Sequence, residues 1–157
     1  MTLMFLNGGA MRGGPLHGLL RGAPFVGAAR TAPRYRFYSV GDRFPALEEV
    51  ADPPEADEPG AARGVSVAGE LYDVPWEVLR ESLLPAEPDE LELGVIELED
   101  GGGTLAMVRR RSYLEAEGEY GDISRYADWR AYSADRGATA ALGSVDAPRR
   151  GTDGGAR

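Results

Sequence analysis

The sequence predicts an α+β fold, a small mixed β-barrel of about six strands with two or three flanking helices. Three observations predict it. Short β-like runs recur along the chain, each closed by Gly, Pro, Asn or Asp. Two of these runs, 91–98 and 104–109, flank Asp100-Gly101-Gly102-Gly103, a hairpin signal. A helical apolar stripe stands between strands behind Pro75, so the connections include crossovers as well as hairpins.

Taken in order, Leu3-Met4-Phe5-Leu6 is the apolar centre of a first strand over 2–7. Pro15 opens a short helix over 15–21, which Gly22 closes as a left-handed cap. Residues 25–31 and 35–40 read as two strands separated by Ala32-Pro33, and a weaker strand follows at 48–51. The stretch 52–63, rich in Pro, Glu, Asp, Ala and Gly, reads as a solvated loop. Alternation resumes over 64–74. Pro75 then starts a helix over 76–84, with Trp76, Leu79 and Leu83 at helical spacing and Leu84 widening the stripe. Pro85-Ala86-Glu87-Pro88 ends it. After the hairpin, a short helix is expected around 123–132. Residues 1–134 thus form one domain, and 135–157, made mostly of Gly, Ala, Asp and Arg without periodicity, a disordered tail.

Composition narrows the function classes. A net charge of −9 argues against nucleic acid or an anionic membrane surface as partner, since neutralising phosphates takes clustered Lys and Arg. The short run Arg109-Arg110-Arg111 reads as the end of a strand or as a balance for nearby carboxylates. The absence of cysteine excludes disulfides, thiolate nucleophiles and Cys-bound zinc. With His17 the sole histidine, a His-rich metal site or a Ser-His-Asp triad has little to stand on. Nothing resembles a leader or a membrane-spanning run, which makes a soluble, cytoplasmic protein the expectation.

Two features carry chemistry. Asn7-Gly8-Gly9-Ala10-Met11-Arg12-Gly13-Gly14 follows the first strand and has four glycines in seven residues. Such a loop can curl its N–H groups around an anion or a carbonyl oxygen. Glu87 stands alone between two prolines just before a strand, where apolar neighbours would raise its pKa by desolvation. Glu70, inside a strand, competes for the same role: pointing into the barrel it must be paired or functional, because a buried unpaired carboxylate is costly. His17 reads as a surface or half-buried helix residue. Arg34 and Arg36 read as an exposed strand face, with carboxylate binding as the alternative. Trp129 and Tyr132 read as packing for a closing helix, and Tyr126 as a pocket residue at most.

Several segments together carry a resemblance: the loop Gly8-Gly9-Ala10-Met11-Arg12-Gly13, then 28–38, Val67-Ala68-Gly69-Glu70-Leu71-Tyr72-Asp73-Val74, 93–101 and Asp128-Trp129-Arg130-Ala131-Tyr132. In this order the chain is similar to the gamma-glutamylcyclotransferase-like superfamily, on the branch related to the C-terminal domain of allophanate hydrolases. The resemblance implies a small barrel whose Gly-rich loop lines a cavity. Asn7, Gly8, Gly9, Ala10, Met11, Arg12 and Gly13 would bind substrate, and Glu87 would be the catalytic general acid/base. It further implies cyclisation or cleavage of a small γ-glutamyl or urea-like amide without cofactor or metal, and a second copy or an amidase as protein partner. Two departures separate the branches. The loop begins Asn7-Gly8-Gly9 where cyclotransferases carry a Tyr-Gly-Ser type motif. Met11 stands where allophanate hydrolases, whose domain is implicated in decarboxylating an N-carboxylated intermediate, carry a histidine. A decarboxylase or carbamate-processing domain, and a non-catalytic binding or assembly module, are the alternatives.

Overall fold

In this computed structural model the described residues are 1–50, 63–113 and 120–144. Most of the expected solvated loop at 52–63 and the tail beyond 144 lie outside them. Among the described residues, eight strands form two sheets. The larger contains β1 (Leu3–Leu6), β2 (Phe25–Arg30), β5 (Ala68–Asp73), β6 (Leu91–Glu97) and β7 (Gly103–Arg109), in the order β2-β5-β1-β7-β6. The smaller contains β3 (Tyr35–Val40), β4 (Phe44–Glu49) and β8 (Tyr120–Asp122), in the order β4-β3-β8.

Strand β1 is apolar throughout because both of its faces are covered. Met4 and Leu6 join a core with Leu20, Tyr72, Leu79 and Leu83, while Phe5 points the other way into a core with Phe37, Leu47, Ile96 and Ile123. β1 runs antiparallel to β5 and parallel to β7, so the sheet is mixed. Its two outer strands meet at one end, where Thr31 and Leu98 form an antiparallel bridge. There the Ala32 N–H donates to the Glu97 carbonyl and the Glu99 N–H to the Arg30 carbonyl, both at 2.9 Å. This curls the sheet toward the expected barrel. The bridge is locked by Thr31, whose fully buried hydroxyl donates to the Ala32 carbonyl (2.9 Å) and accepts from the Val67 N–H (3.0 Å).

The α+β class holds, with corrections to several elements. The expected strand at 48–51 begins earlier, at Phe44, because Gly41-Asp42 forms a tight hairpin turn with β3. Both turn residues have positive φ, +54° and +57°, the signature of a type I′ turn. The strand expected over 64–74 is restricted to β5, preceded by an isolated bridge between Tyr35 and Val65. The helix expected at 15–21 is a single 3-10 turn, His17–Leu20; its left-handed end begins one residue before the expected Gly22, with Arg21 at φ +48° and Gly22 at +77°.

Helix α1 opens at Trp76–Val78, widens to a π turn at Leu79–Leu83 and tightens to 3-10 geometry at Leu84–Ala86. Pro85 has no N–H to continue the ladder, which accounts for the tightened end. Leu79 and Leu83 are buried as expected, but Trp76 is 54% exposed. Strand β8 was not anticipated. The helix expected around 123–132 gives way to a turn, and α2 (Trp129–Ser144) begins later. Asp128 caps it by accepting from the Arg130 N–H at 2.8 Å. α2 continues through 135–144, where disorder was expected, over an alanine-rich stretch of high helix propensity. No described helix is long and apolar enough to cross a membrane.

The closing bridge yields a test. Thr31→Val keeps the side-chain shape but leaves the buried Val67 N–H without its acceptor. It should cost about 1–3 kcal/mol in urea unfolding, and Thr31→Ser should restore most of the loss.

Candidate functional site

The loop after β1 folds back on itself through its own backbone. The Met11 N–H donates to the Gly8 carbonyl (3.1 Å), Leu16 to Gly9 (2.9 Å) and Gly14 to Met11 (2.9 Å). Two glycines are required by close approach. A Cβ on Gly14 would lie 2.1 Å from the Gly9 carbonyl oxygen, and one on Gly8 would lie 2.8 Å from the Pro45 ring. Among the described residues, the N–H groups of Gly8, Gly9 and Ala10 donate to no backbone or side-chain acceptor.

Glu87 reaches the same place from the end of α1. Leu79 and Leu83 root that helix in the core, and the Ser82 hydroxyl donates to the Leu19 carbonyl at 2.8 Å. The Glu87 N–H closes the last turn on the Leu84 carbonyl (3.2 Å). Downstream, Leu91 donates back to the Pro88 carbonyl (3.0 Å), and Arg110 holds the Asp89 and Leu91 carbonyls. The Glu87 side chain is half-buried, and no described group donates to its carboxylate. Burial alone pushes its pKa up to about 7.

Glu87 and the loop residues Asn7, Gly8, Gly9 and Ala10 line one cavity of about 260 Å³. Phe5, Leu6, Leu16, Leu91 and Met107 give it apolar walls. The turn into β4, Arg43-Phe44-Pro45, also lines it, a wall the sequence pattern does not place at the site. The Gly41-Asp42 dipeptide was the available signal for that hairpin. Asp42 pins its turn to α2, accepting from the Tyr132 hydroxyl and pairing with Arg136 (3.1 Å), and accepts from the Ser39 hydroxyl (2.9 Å).

Met11, Arg12 and Gly13, expected to bind substrate beside Asn7–Ala10, do not line this cavity. Met11 is buried in the core against Leu20 and Leu83. The Arg12 guanidinium lies over the Phe25 ring, 4.1 Å from its centroid. Gly13, at φ +81°, lines a separate and more open cleft with Trp129 and Arg130. The loop turns away after Ala10 because Glu70 takes hold of it. The Glu70 carboxylate accepts from the Arg12 N–H (2.8 Å), the Tyr72 hydroxyl (2.9 Å) and the Arg130 guanidinium (2.9 Å). Burial acts to raise the pKa of Glu70, but these donors outweigh it and hold the carboxyl below its ordinary range. Arg130 also donates to the Arg12 carbonyl (2.7 Å), so the loop is gripped on both sides of one residue.

The other candidates have structural partners. The His17 imidazole nitrogen Nδ1 lies 3.0 Å from the Ala10 carbonyl, and the ring packs edge-on against Tyr72. Arg34 pairs with Glu49 (3.2 Å) and Glu97 (2.6 Å), and Arg36 with Asp122. Arg109 pairs with Glu48 at 3.0 Å, in line with the charge-balancing role read for its cluster. Tyr126 packs on Tyr132, and Trp129 bridges both large cores. Among the described residues, no group of three or more Asp, Glu or His is placed to hold a metal ion.

The sequence profile of the allophanate hydrolase C-terminal domain matches residues 2–134. No curated protein matches the chain significantly. Among solved structures, the chain is similar to c4763, a uropathogenic E. coli-specific protein, at 30% identity and a TM-score of 0.71, covering 85% of this chain and 95% of that one. It resembles Kluyveromyces lactis allophanate hydrolase at 22% identity and a TM-score of 0.72, covering 86% of this chain but 21% of that one. The Pyrococcus horikoshii protein PH0828 shares the fold at 17% identity and a TM-score of 0.59, over 88% of this chain and 98% of that one.

The Glu70 clamp predicts a pH signature. A carboxyl whose pKa is lowered on folding contributes stability that is present above its unfolded pKa and lost as pH falls through the folded value. Glu70→Gln should therefore lower stability at pH 7 by about 2 kcal/mol. The gap to wild type in urea unfolding should shrink steadily below pH 4.5, the ordinary glutamate value.

Proposed function

Because the chain belongs to the allophanate hydrolase C-terminal domain family, we propose that it is a small-molecule enzyme of the cyclotransferase-like kind, using Glu87 as general acid/base on a γ-glutamyl-type amide. One observation carries this reading: a carboxyl with a near-neutral pKa shares a cavity with Gly8, Gly9 and Ala10, and among the described residues neither that carboxyl nor their N–H groups have a hydrogen-bond partner. A near-neutral pKa suits a group that must both take and return a proton at physiological pH. A volume of about 260 Å³ lies just below the usual range for ligand sites, which suits a metabolite of amino-acid size.

The reaction follows from these groups. Ionised Glu87 takes a proton from the substrate's α-amino group as the nitrogen attacks the γ-carbonyl carbon. The C–N bond of the new ring forms, and the carbonyl oxygen becomes an oxyanion held by N–H groups of Gly8, Gly9 and Ala10. The bond to the leaving nitrogen then breaks, and Glu87 passes its proton to that nitrogen. The products are 5-oxoproline and a free amine, and Glu87 is again ionised. No metal or cofactor enters.

The family match favours a second reading, in which the cavity processes an N-carboxylated amide. There the N–CO₂ bond breaks, carbon dioxide leaves, and the nitrogen gains a proton. This chain spans 21% of the K. lactis allophanate hydrolase chain, so that protein's activity reaches it only as a proposal. Carbon dioxide release without 5-oxoproline, unaffected by loss of Glu87, would decide for this reading.

A screen of γ-glutamyl amides by mass spectrometry tests the first. Glu87→Gln should lower 5-oxoproline release by about 10²–10⁴-fold with the fold intact. In the wild type, kcat/KM should rise with pH through about 7, as Glu87 ionises in the free enzyme. Full activity in the variant would remove Glu87 from the mechanism.

A further inference from the structure

Resting on the proposed cyclisation in the Glu87 cavity, we propose that the Asn7 side chain selects substrates whose attacking nitrogen is an unblocked primary amine. Its Oδ1 accepts the hydrogen that stays on that nitrogen after Glu87 takes the other.

The cavity is short of hydrogen-bond acceptors. Among the described residues lining it, Asn7, Arg43 and Glu87 carry the polar side chains, and a guanidinium only donates. The loop carbonyls are already engaged: Gly8 accepts from the Met11 N–H (3.1 Å), Gly9 from Leu16 (2.9 Å) and Ala10 from the His17 ring (3.0 Å). The loop thus spends its acceptors on itself and keeps donors for a ligand. Among the side chains, accepting a ligand N–H falls to Asn7 and Glu87.

Asn7 is placed but not committed. It directly follows β1, which is held between β5 and β7 in the middle of the larger sheet. Continuing the alternation of β1 puts it on the face of Phe5, which also lines the cavity. It is half-buried, and among the described residues its carboxamide makes no hydrogen bond. A polar group so placed gains by taking a ligand partner. With no protein partner to fix the amide plane, Oδ1 is able to turn toward a donor.

A primary amine approaches the γ-carbonyl with two hydrogens and a lone pair. Glu87 takes one hydrogen as the C–N bond forms, and the second remains as the ring N–H of the lactam. Between apolar walls that N–H needs an acceptor throughout the reaction. Holding both hydrogens also aims the lone pair at the carbonyl carbon. The oxyanion already has the loop amides as donors, so an acceptor is what the reaction lacks. An N-acylated or N,N-dialkylated amine does not bring both hydrogens and is excluded.

Binding measurements separate this inference from the catalytic reading. The probes are 5-oxoproline and the lactone in which oxygen replaces its ring N–H, titrated by calorimetry. Wild type should bind the lactam at least about tenfold tighter. Asn7→Leu should shrink that ratio at least about fivefold. Asn7→Asp, which keeps an oxygen acceptor and loses the N–H donor, should retain it. The weaker carbonyl of the lactone affects wild type and variants alike, so the change in ratio reads the ring N–H. Equal affinities in the wild type, a ratio unchanged in Asn7→Leu or lost in Asn7→Asp, or no binding of either probe overturns the inference. If no γ-glutamyl amide is turned over but the ratio depends on Asn7, the catalytic reading fails and this one stands. Turnover with a ratio indifferent to Asn7 has the reverse meaning.

Discussion

The site depends on one buried carboxylate and the three donors gathered on it. Glu70 sits in β5, Arg12 in the loop after β1, Tyr72 two residues along the same strand, and Arg130 at the start of α2. A buried carboxylate without partners is too costly to keep ionised, so the loop amide and the helix must come to it. Their arrival fixes where the loop stops following the cavity wall. Residues Asn7–Ala10 remain on the wall, and Met11 drops into the core.

Glu87 has the opposite surroundings. It is the same residue type, partly removed from water, but no described donor reaches it, and burial raises its carboxyl pKa to about 7 while that of Glu70 is held low. One glutamate fixes the frame and the other is left available for proton transfer. Environments that drive two like groups apart in this way are how a fold separates a structural charge from a chemical one. Helix α2 completes the frame: Arg130 grips the loop, while Tyr132 and Arg136 grip the Asp42 turn. Two walls of the cavity are thus positioned from one helix.

Much of this was legible in the sequence where the cause is local. The apolar centre of β1, the glycine loop behind it and the hairpin between β6 and β7 follow from short-range pattern. Glu87 could be singled out because two prolines and an apolar helix flank it. The division of labour between Glu70 and Glu87 was not legible. Arg130 lies sixty residues from Glu70 in the chain, and no spacing rule connects them. The same distance hid the Arg43-Phe44-Pro45 wall, which packs against Gly8 through the Pro45 ring. Strand β8 is three residues long and, among the described residues, pairs with β3 alone, too short for a period to show. The extent of α2 was readable in part, since Asp128 is a good helix cap and alanine-rich sequence favours helix, but the lack of an apolar stripe concealed it.

The account rests on a carboxyl kept protonated up to neutral pH in the cavity that the loop amides line. NMR of protein carrying ¹³C-labelled glutamate carboxyls, titrated from pH 3 to 9, reads this group directly. The account predicts one glutamate resonance with a midpoint near 7, absent from Glu87→Gln, while Glu70 titrates below the ordinary value of 4.5. If every glutamate titrates below pH 5, or the neutral resonance persists in Glu87→Gln, the account is contradicted.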